Sequence, residues 1–227
     1  GGFLHEFLTD RGPGSMPMQG ESADDYVRGE KQRWKSVLTP VYEDGSIIAF
    51  NKPSGLLSVP DRWDKNAINL VDMVHETLSP AYFNVHRLDK DTSGLLVCAK
   101  DELALKNLCL QFENRETSKT YIAITRGAPP EKSGKVDRGI EEDPLNPGRM
   151  KIAGRIKKKS ETLYEVKETF RGYALVELTP LTGRLHQLRL HMAYIGCPVA
   201  GDRFYGDGVG IMLSELKRKY KHGKDPE

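Results

Sequence analysis

Cysteine is scarce in this sequence: Cys98, Cys109 and Cys197 are the only three in 227 residues, and no CxxC spacing occurs. A disulfide framework and a CxxC-built zinc site are thereby excluded, and two of the three lie in apolar runs where a reduced thiol packs as a small hydrophobe. That usage fits a reducing, cytoplasmic setting. Long apolar runs are lacking as well. Nothing approaches the ~18 residues of a membrane span, and the N-terminus lacks the charged-then-apolar layout of a signal peptide. A soluble protein with no membrane partner is expected. Charge of one sign is not in excess, since 34 Lys and Arg face 32 Asp and Glu. An anionic partner would have to be met by local clusters rather than by net charge. Neither a GxxxxGK[ST] phosphate loop nor a dinucleotide-binding fingerprint occurs, which removes the usual nucleotide-cofactor readings.

What is present begins with a tail. Residues 1–35 mix Gly, Pro, Met, Ser and acidic residues without a sustained period, and from 36 to 227 the pattern is that of a folded domain. Val41 and Tyr42, the turn Asp44-Gly45, and Ile47 to Phe50 read as a hairpin that Lys52-Pro53-Ser54-Gly55 stops. Lys52 is either a solvated strand end, the commoner case, or a fixed cation near a site. Ala67, Leu70, Val71, Val74 and Leu78 follow a helical period, and Asp101 can cap a second helix with Leu105, Leu108 and Phe112 on one face. Thr117 to Thr125 has the β-branched and aromatic content of a strand. Glu161–Phe170 and Tyr173–Thr179 read as a second hairpin about Arg171-Gly172.

Two stretches carry chemistry. In NVHRLDKDTSGLLVCAK, residues 84–100, a polar loop with Arg87, Asp89, Lys90 and Asp91 runs through the turn Thr92-Ser93-Gly94 into an unbroken apolar strand. It is an ordinary charged turn or a set of side chains held for a reaction by a rigid neighbour. In PLTGRLHQLRLH, residues 180–191, Thr182 can cap a helix that runs to Ile195 and stops at Gly196, with Leu185, Leu188, Met192 and Ile195 packing down. His186 and His191 are five apart without an intervening acid, so packing and hydrogen bonding are favoured over metal ligation. Between the two lies the most basic window of the chain, with Arg149, Lys151, Arg155, Lys157, Lys158 and Lys159. It is a solvated loop or hairpin, or a surface for a phosphate backbone.

These residues resemble the RluA family of pseudouridine synthases. HRLDKDTSG is similar to that family's signature around its catalytic aspartate, SKTYIA to its motif around an active-site tyrosine, and LTGRLHQLRLH to its third motif. EDGSIIAFNKPSGLLSVP ahead and GCPVAGDRFYGD behind extend the likeness to residues 41–207. NKPSGLLSVP is especially similar to the subgroup without an N-terminal S4 domain, and no S4 pattern is read in the first 40 residues.

The resemblance implies an α+β catalytic domain on a bent, mainly antiparallel sheet with flanking helices. Non-alternating elements and hairpins agree with that class. It implies that Asp89 is the catalytic carboxylate, that Tyr121 packs against the target uracil, and that Arg189 pairs with Asp89. Arg87, with His86 beside it, would meet the RNA where the uridine has left the stack; on the phosphate-surface reading of the basic window, Lys157, Lys158 and Lys159 would hold its backbone. An arginine partner favours the ionised carboxylate that a nucleophile or base requires, and an aromatic face can receive a flipped base. Two routes are open to Asp89: attack on C1′, or assistance in removing a 2′ proton. Substrate and product are isomers, so no cofactor and no metal are expected, and the partner is a ribosomal or transfer RNA stem-loop met by a monomer. The family pattern continues past GDRFYG to closing strands, whereas this sequence ends at KRKYKHGKDPE, so those strands are expected to be absent from it. Two rivals stand beside this reading: an RNA-binding protein relying on the basic window, and a metal-dependent hydrolase using His86, His186 and His191.

Overall fold

A computed structural model describes residues 29, 31–61, 64, 66–154 and 159–212. Most of the expected tail, Lys157, Lys158 and the last fifteen residues lie outside the described residues. The chain divides between Asn114 and Arg115 into two compact units.

The first unit carries strands β1 (Tyr42–Glu43), β2 (Ile47–Lys52), β3 (Phe83–Asn84) and β4 (Gly94–Ala99), and helices α1 (Leu70–Thr77) and α2 (Glu102–Glu113). The strands form one antiparallel sheet in the order β1-β2-β4-β3. The β1–β2 hairpin closes where Asp44 was expected to turn the chain: its Oδ1 accepts from Ser46 N at 2.7 Å and Ile47 N at 2.8 Å. Ile48, Phe50, Leu96 and Cys98 meet Leu70, Met73 and Val74 of α1 in a closed apolar cluster. Helix α1 begins at Leu70, three residues later than the periodicity suggests, because Asn69 takes the cap and accepts from Asp72 N at 3.0 Å. Asp101 caps α2 as expected, accepting from Ala104 N at 2.8 Å. Strand β4 is not buried throughout, as its apolar run suggested. It alternates, with Leu95 60% exposed and Leu96 fully covered. Cys98 is buried and Cys109 exposed, and neither forms a disulfide.

The second unit carries β5 (Tyr121–Arg126), β6 (Ser133–Asp137), β7 (Ile140–Glu142), β8 (Met150–Ile152), β9 (Glu161–Phe170), β10 (Tyr173–Pro180) and α3 (Gln187–Tyr194). Strands β5-β10-β9-β6 form an antiparallel sheet in that order, and β7-β8 form a separate hairpin whose second strand carries Lys151 of the basic window. Gly172, at φ 75°, makes the tight turn between β9 and β10 that its sequence position suggested. Opposite Leu175 and Val176 of β10, strand β9 carries an extra residue, a bulge. Val166, Ala174, Val176, Leu178 and Met192 form the core, with Tyr121, Leu188 and Ile195 packed against it. Both units are α+β with antiparallel sheets, the class the sequence implied.

Helix α3 departs from expectation. Thr182 does not cap it. Its hydroxyl accepts from Glu161 N at 2.9 Å and donates to Gln187 Oε1 at 2.7 Å, so it is committed to strand β9. The helix starts at Gln187, five residues beyond Thr182. His186 occupies the cap position in a left-handed conformation, φ 54°, and Leu185 is left 40% exposed instead of packed. The C-terminal stop is as expected, with Gly196 at φ 82°.

Candidate active site

In the first unit the geometry centres on the loop that carries Asp89. Leu88, just before it, is buried, and its backbone is gripped on both sides by one hydroxyl: Ser58 Oγ accepts from Leu88 N at 3.0 Å and donates to Leu88 O at 2.8 Å. Past Asp89, Lys90 O accepts from Gly55 N at 2.9 Å and from Lys52 Nζ at 3.0 Å. Ser54 Oγ donates to Asp91 O at 2.9 Å, and Thr92 N donates to Asp89 O itself at 3.1 Å. Gly55 sits at φ 89°, a conformation that lets its N–H reach Lys90. The backbone flanking a half-buried Asp89 is therefore held by the 52–58 segment, while Arg87 is exposed.

Lys52 corrects its commoner reading. It is fully covered rather than solvated, because its Nζ donates to three carbonyls, Pro53 at 2.9 Å, Leu56 at 2.6 Å and Lys90 at 3.0 Å. Burial pushes its pKa down to about 8, against the opposing pull of the Asp91 and Asp89 carboxylates. His86 is half-buried. Its Nε2 accepts from Val97 N at 3.0 Å, and its ring stacks on Phe112 with centroids 5.4 Å apart.

In the second unit Tyr121 opens β5, paired with Leu178 of β10 and packed against the core. Arg189 lies mid-way along α3. Its Nε donates to Asp202 Oδ2 at 2.7 Å and its Nη2 to Asp202 Oδ1 at 2.9 Å, a side-on bidentate pair. The guanidinium lies 5.2 Å from the Phe204 ring centroid and 5.3 Å from that of Tyr205. His186 Nδ1 is 2.8 Å from Tyr205 Oη, which accepts from Met150 N at 2.8 Å. His191 is fully buried between Thr162 Oγ1 at 2.9 Å and Arg138 O at 3.0 Å, the packing role expected of it. No cluster of three or more His, Cys, Asp or Glu side chains fit for a metal forms among the described residues. Of the basic window, Lys159 is exposed and paired with Glu161 at 3.0 Å, and Lys151 lies 3.5 Å from Glu141.

A family model described as RNA pseudouridylate synthase matches residues 46–194. The chain belongs to this family. The match contains the Asp89 loop, Tyr121 and Arg189. The chain is 41% identical over 169 residues to the dual-specificity RNA pseudouridine synthase RluA of Escherichia coli K12, covering 74% of this chain and 77% of that one. It is 38% identical over 202 residues to the ribosomal large subunit pseudouridine synthase D of Borreliella burgdorferi, covering 82% of this chain and 61% of that protein's length. Among solved structures, human RNA pseudouridylate synthase domain containing 4 superposes with a TM-score of 0.65 at 28% identity, covering 83% of this chain and 78% of that one. Its human relative domain containing 1 gives 0.62 at 30% identity, over 78% and 70%.

Two features of the site went unread in the sequence. Ser58 and Asp202 both lie inside the stretches that carried the family resemblance, NKPSGLLSVP and GCPVAGDRFYGD, yet neither was given a task. Each owes its importance to a partner far along the chain, Leu88 for one and Arg189 for the other.

Proposed function

We propose that the protein converts specific uridines of structured ribosomal or transfer RNA to pseudouridine, with Asp89 as the catalytic carboxylate. The observation that carries this is the Asp89 loop. Its backbone is hydrogen-bonded before, at and after the aspartate, within the stretch matched by the family model. A carboxylate that must approach one ribose carbon gains from such a mounting, since pre-set geometry lowers the barrier to reaction. As the family resemblance implies, Arg189 supplies the cation that favours an ionised carboxylate, and Tyr121 a face for the uracil. Arg87 fills the place the uridine leaves in the RNA stack, with His86 behind it. The basic window, Lys157, Lys158 and Lys159 included, contacts phosphates and helps to choose the stem-loop by shape.

The reaction breaks N1–C1′, turns the base and joins C5 to C1′, with the C5 hydrogen leaving as a proton and N1 taking one up. Substrate and product are isomers, so the step consumes no cofactor and needs no metal. The protein acts as a monomer, and its setting is the cytoplasm, in keeping with the free thiols of Cys98, Cys109 and Cys197.

The test is pseudouridine mapping, by carbodiimide labelling and primer extension, in a strain lacking the gene and complemented with wild type or Asp89→Ala. Particular sites should vanish in the deletion and return with wild type alone. Restoration by Asp89→Ala would end the assignment.

A further inference from the structure

Asp202 is a carboxylate only 7% exposed whose oxygens are all but saturated. Oδ2 accepts from Arg189 Nε at 2.7 Å, and Oδ1 accepts from Arg189 Nη2 at 2.9 Å, from Phe204 N at 2.8 Å and from Tyr205 N at 3.1 Å. The same turn thus supplies the carboxylate and, through Phe204 and Tyr205, the two rings beside the guanidinium. The turn is itself braced. Gly206 N and Gly208 N each donate to Asp202 O at 3.1 Å, and a Cβ on Gly206 would lie 2.9 Å from that oxygen. Asp207 pairs with Arg126 Nε at 2.8 Å, fastening the segment to strand β5. Burial alone would raise the Asp202 pKa. The hydrogen bonds from Arg189 and the two backbone N–H groups outweigh it and hold the group ionised.

An arginine side chain has many rotamers, and a lone guanidinium on a helix does not have a fixed plane. A side-on pair uses Nε and one N–H of Nη2, so it sets the plane and leaves Nη1 with the outer N–H of Nη2 at the other edges of the fork. We infer that Asp202 is a positioning residue of the reaction, fixing the plane in which Arg189 presents those edges. This rests on the catalytic part proposed for Arg189 above. Asp202 itself touches neither the RNA nor the reacting atoms.

The experiment is single-turnover tritium release with the full chain in excess. The probe is total RNA labelled with [5-³H]uridine and purified from cells lacking the gene. Tritium leaves C5 when that carbon is joined to C1′. Asp202→Asn should lower the rate at saturating enzyme by about 100-fold, the scale of a misplaced catalytic group, while the half-saturating enzyme concentration stays within about 2-fold. Asp202→Glu, which keeps the charge on a longer stem, should fall between Asp202→Asn and wild type. In an Arg189→Lys background, where the fork is already gone, either Asp202 substitution should change the rate by less than about 2-fold. A purely structural role predicts the opposite, effects that multiply in the two backgrounds. If Asp202→Asn does not fold, Asp202→Glu carries the same cycle. Full activity of Asp202→Asn or Asp202→Glu, or multiplying effects, would overturn the positioning role alone. A wild-type protein that releases no tritium would overturn the proposed function, and this role with it.

Discussion

Lys52 Nζ donates to the carbonyl oxygen of Lys90 at 3.0 Å, joining the end of β2 to the residue that follows Asp89. The ammonium is fully covered, and its three protons match three carbonyls. A buried cation of this kind costs stability that depends on pH. Its folded pKa of about 8 lies below the ordinary 10.5, so between those values the folded chain holds fewer protons than the unfolded one. The cost is therefore full below about pH 8 and is relieved as pH rises toward the unfolded value. Lys52→Met lacks this relief. From urea unfolding at about pH 7.5 and about pH 9.5, wild type should gain roughly 2 kcal/mol relative to the variant. An unchanged difference would show that Lys52 does not titrate in this range.

Ser58 is the second brace of the same loop. Ser58→Ala leaves both the N–H and the C=O of buried Leu88 without the partner that now serves them. Loss of about 1–3 kcal/mol is expected, the cost of stranded buried polar groups. Ser54→Ala, at an exposed position with one bond to Asp91 O, should stay within about 0.5 kcal/mol of wild type. Denaturant midpoints of the two variants decide the matter. Equal shifts would mean that burial at Ser58 does not govern the loop.

Much of this fold was legible because its signals are local. Asp44-Gly45, Arg171-Gly172, Gly196 and the Asp101 cap act within a few residues of themselves, and the structure has each where the sequence suggested. Two of the misreadings share one cause. Thr182 has the chemistry of a helix cap, but its hydroxyl is claimed by Glu161 N from 21 positions away. Lys52 has the chemistry of a solvated strand end, but one of its acceptors lies 38 positions on, at Lys90. The role of Asp202 depends likewise on a turn whose backbone N–H groups point inward, which no pattern of residue types announces. Short-range chemistry can be read along the chain, whereas the partners of a buried polar group are set by tertiary packing.

Gly134 offers a test of packing in the second unit. A Cβ there would lie 2.6 Å from Tyr164 Oη and 2.7 Å from Cζ, closer than any ordinary contact. Tyr164 is only 8% exposed and belongs to the core, so its ring has little room to retreat. Gly134→Ala should cost about 1–3 kcal/mol by overpacking. In a Tyr164→Ala background the same change should cost less than about 0.5 kcal/mol, because the obstructing ring is gone. Additive costs in the two backgrounds would place the effect of Gly134 elsewhere, in the backbone of β6.

His191 makes the second unit sensitive to acid. Arg138 O can only accept, so His191 Nε2 carries a hydrogen, and in the neutral ring Nδ1 accepts from Thr162 Oγ1. Thr162 Oγ1 in turn accepts from Gln187 Nε2 at 3.0 Å. Protonation would turn Nδ1 into a donor and force the hydroxyl to redirect its hydrogen. Burial lowers the His191 pKa from the ordinary 6.5, with the Arg138 carbonyl and Asp137 pulling the other way. With a depressed folded pKa, the stabilising contribution of the neutral ring is whole above the unfolded value and is lost as pH falls below it. Wild type should therefore exceed His191→Gln in melting temperature most at about pH 7.5, and the gap should narrow toward about pH 5. A gap that stays constant over that range would mean that the ring keeps its proton count and that acid acts on other groups.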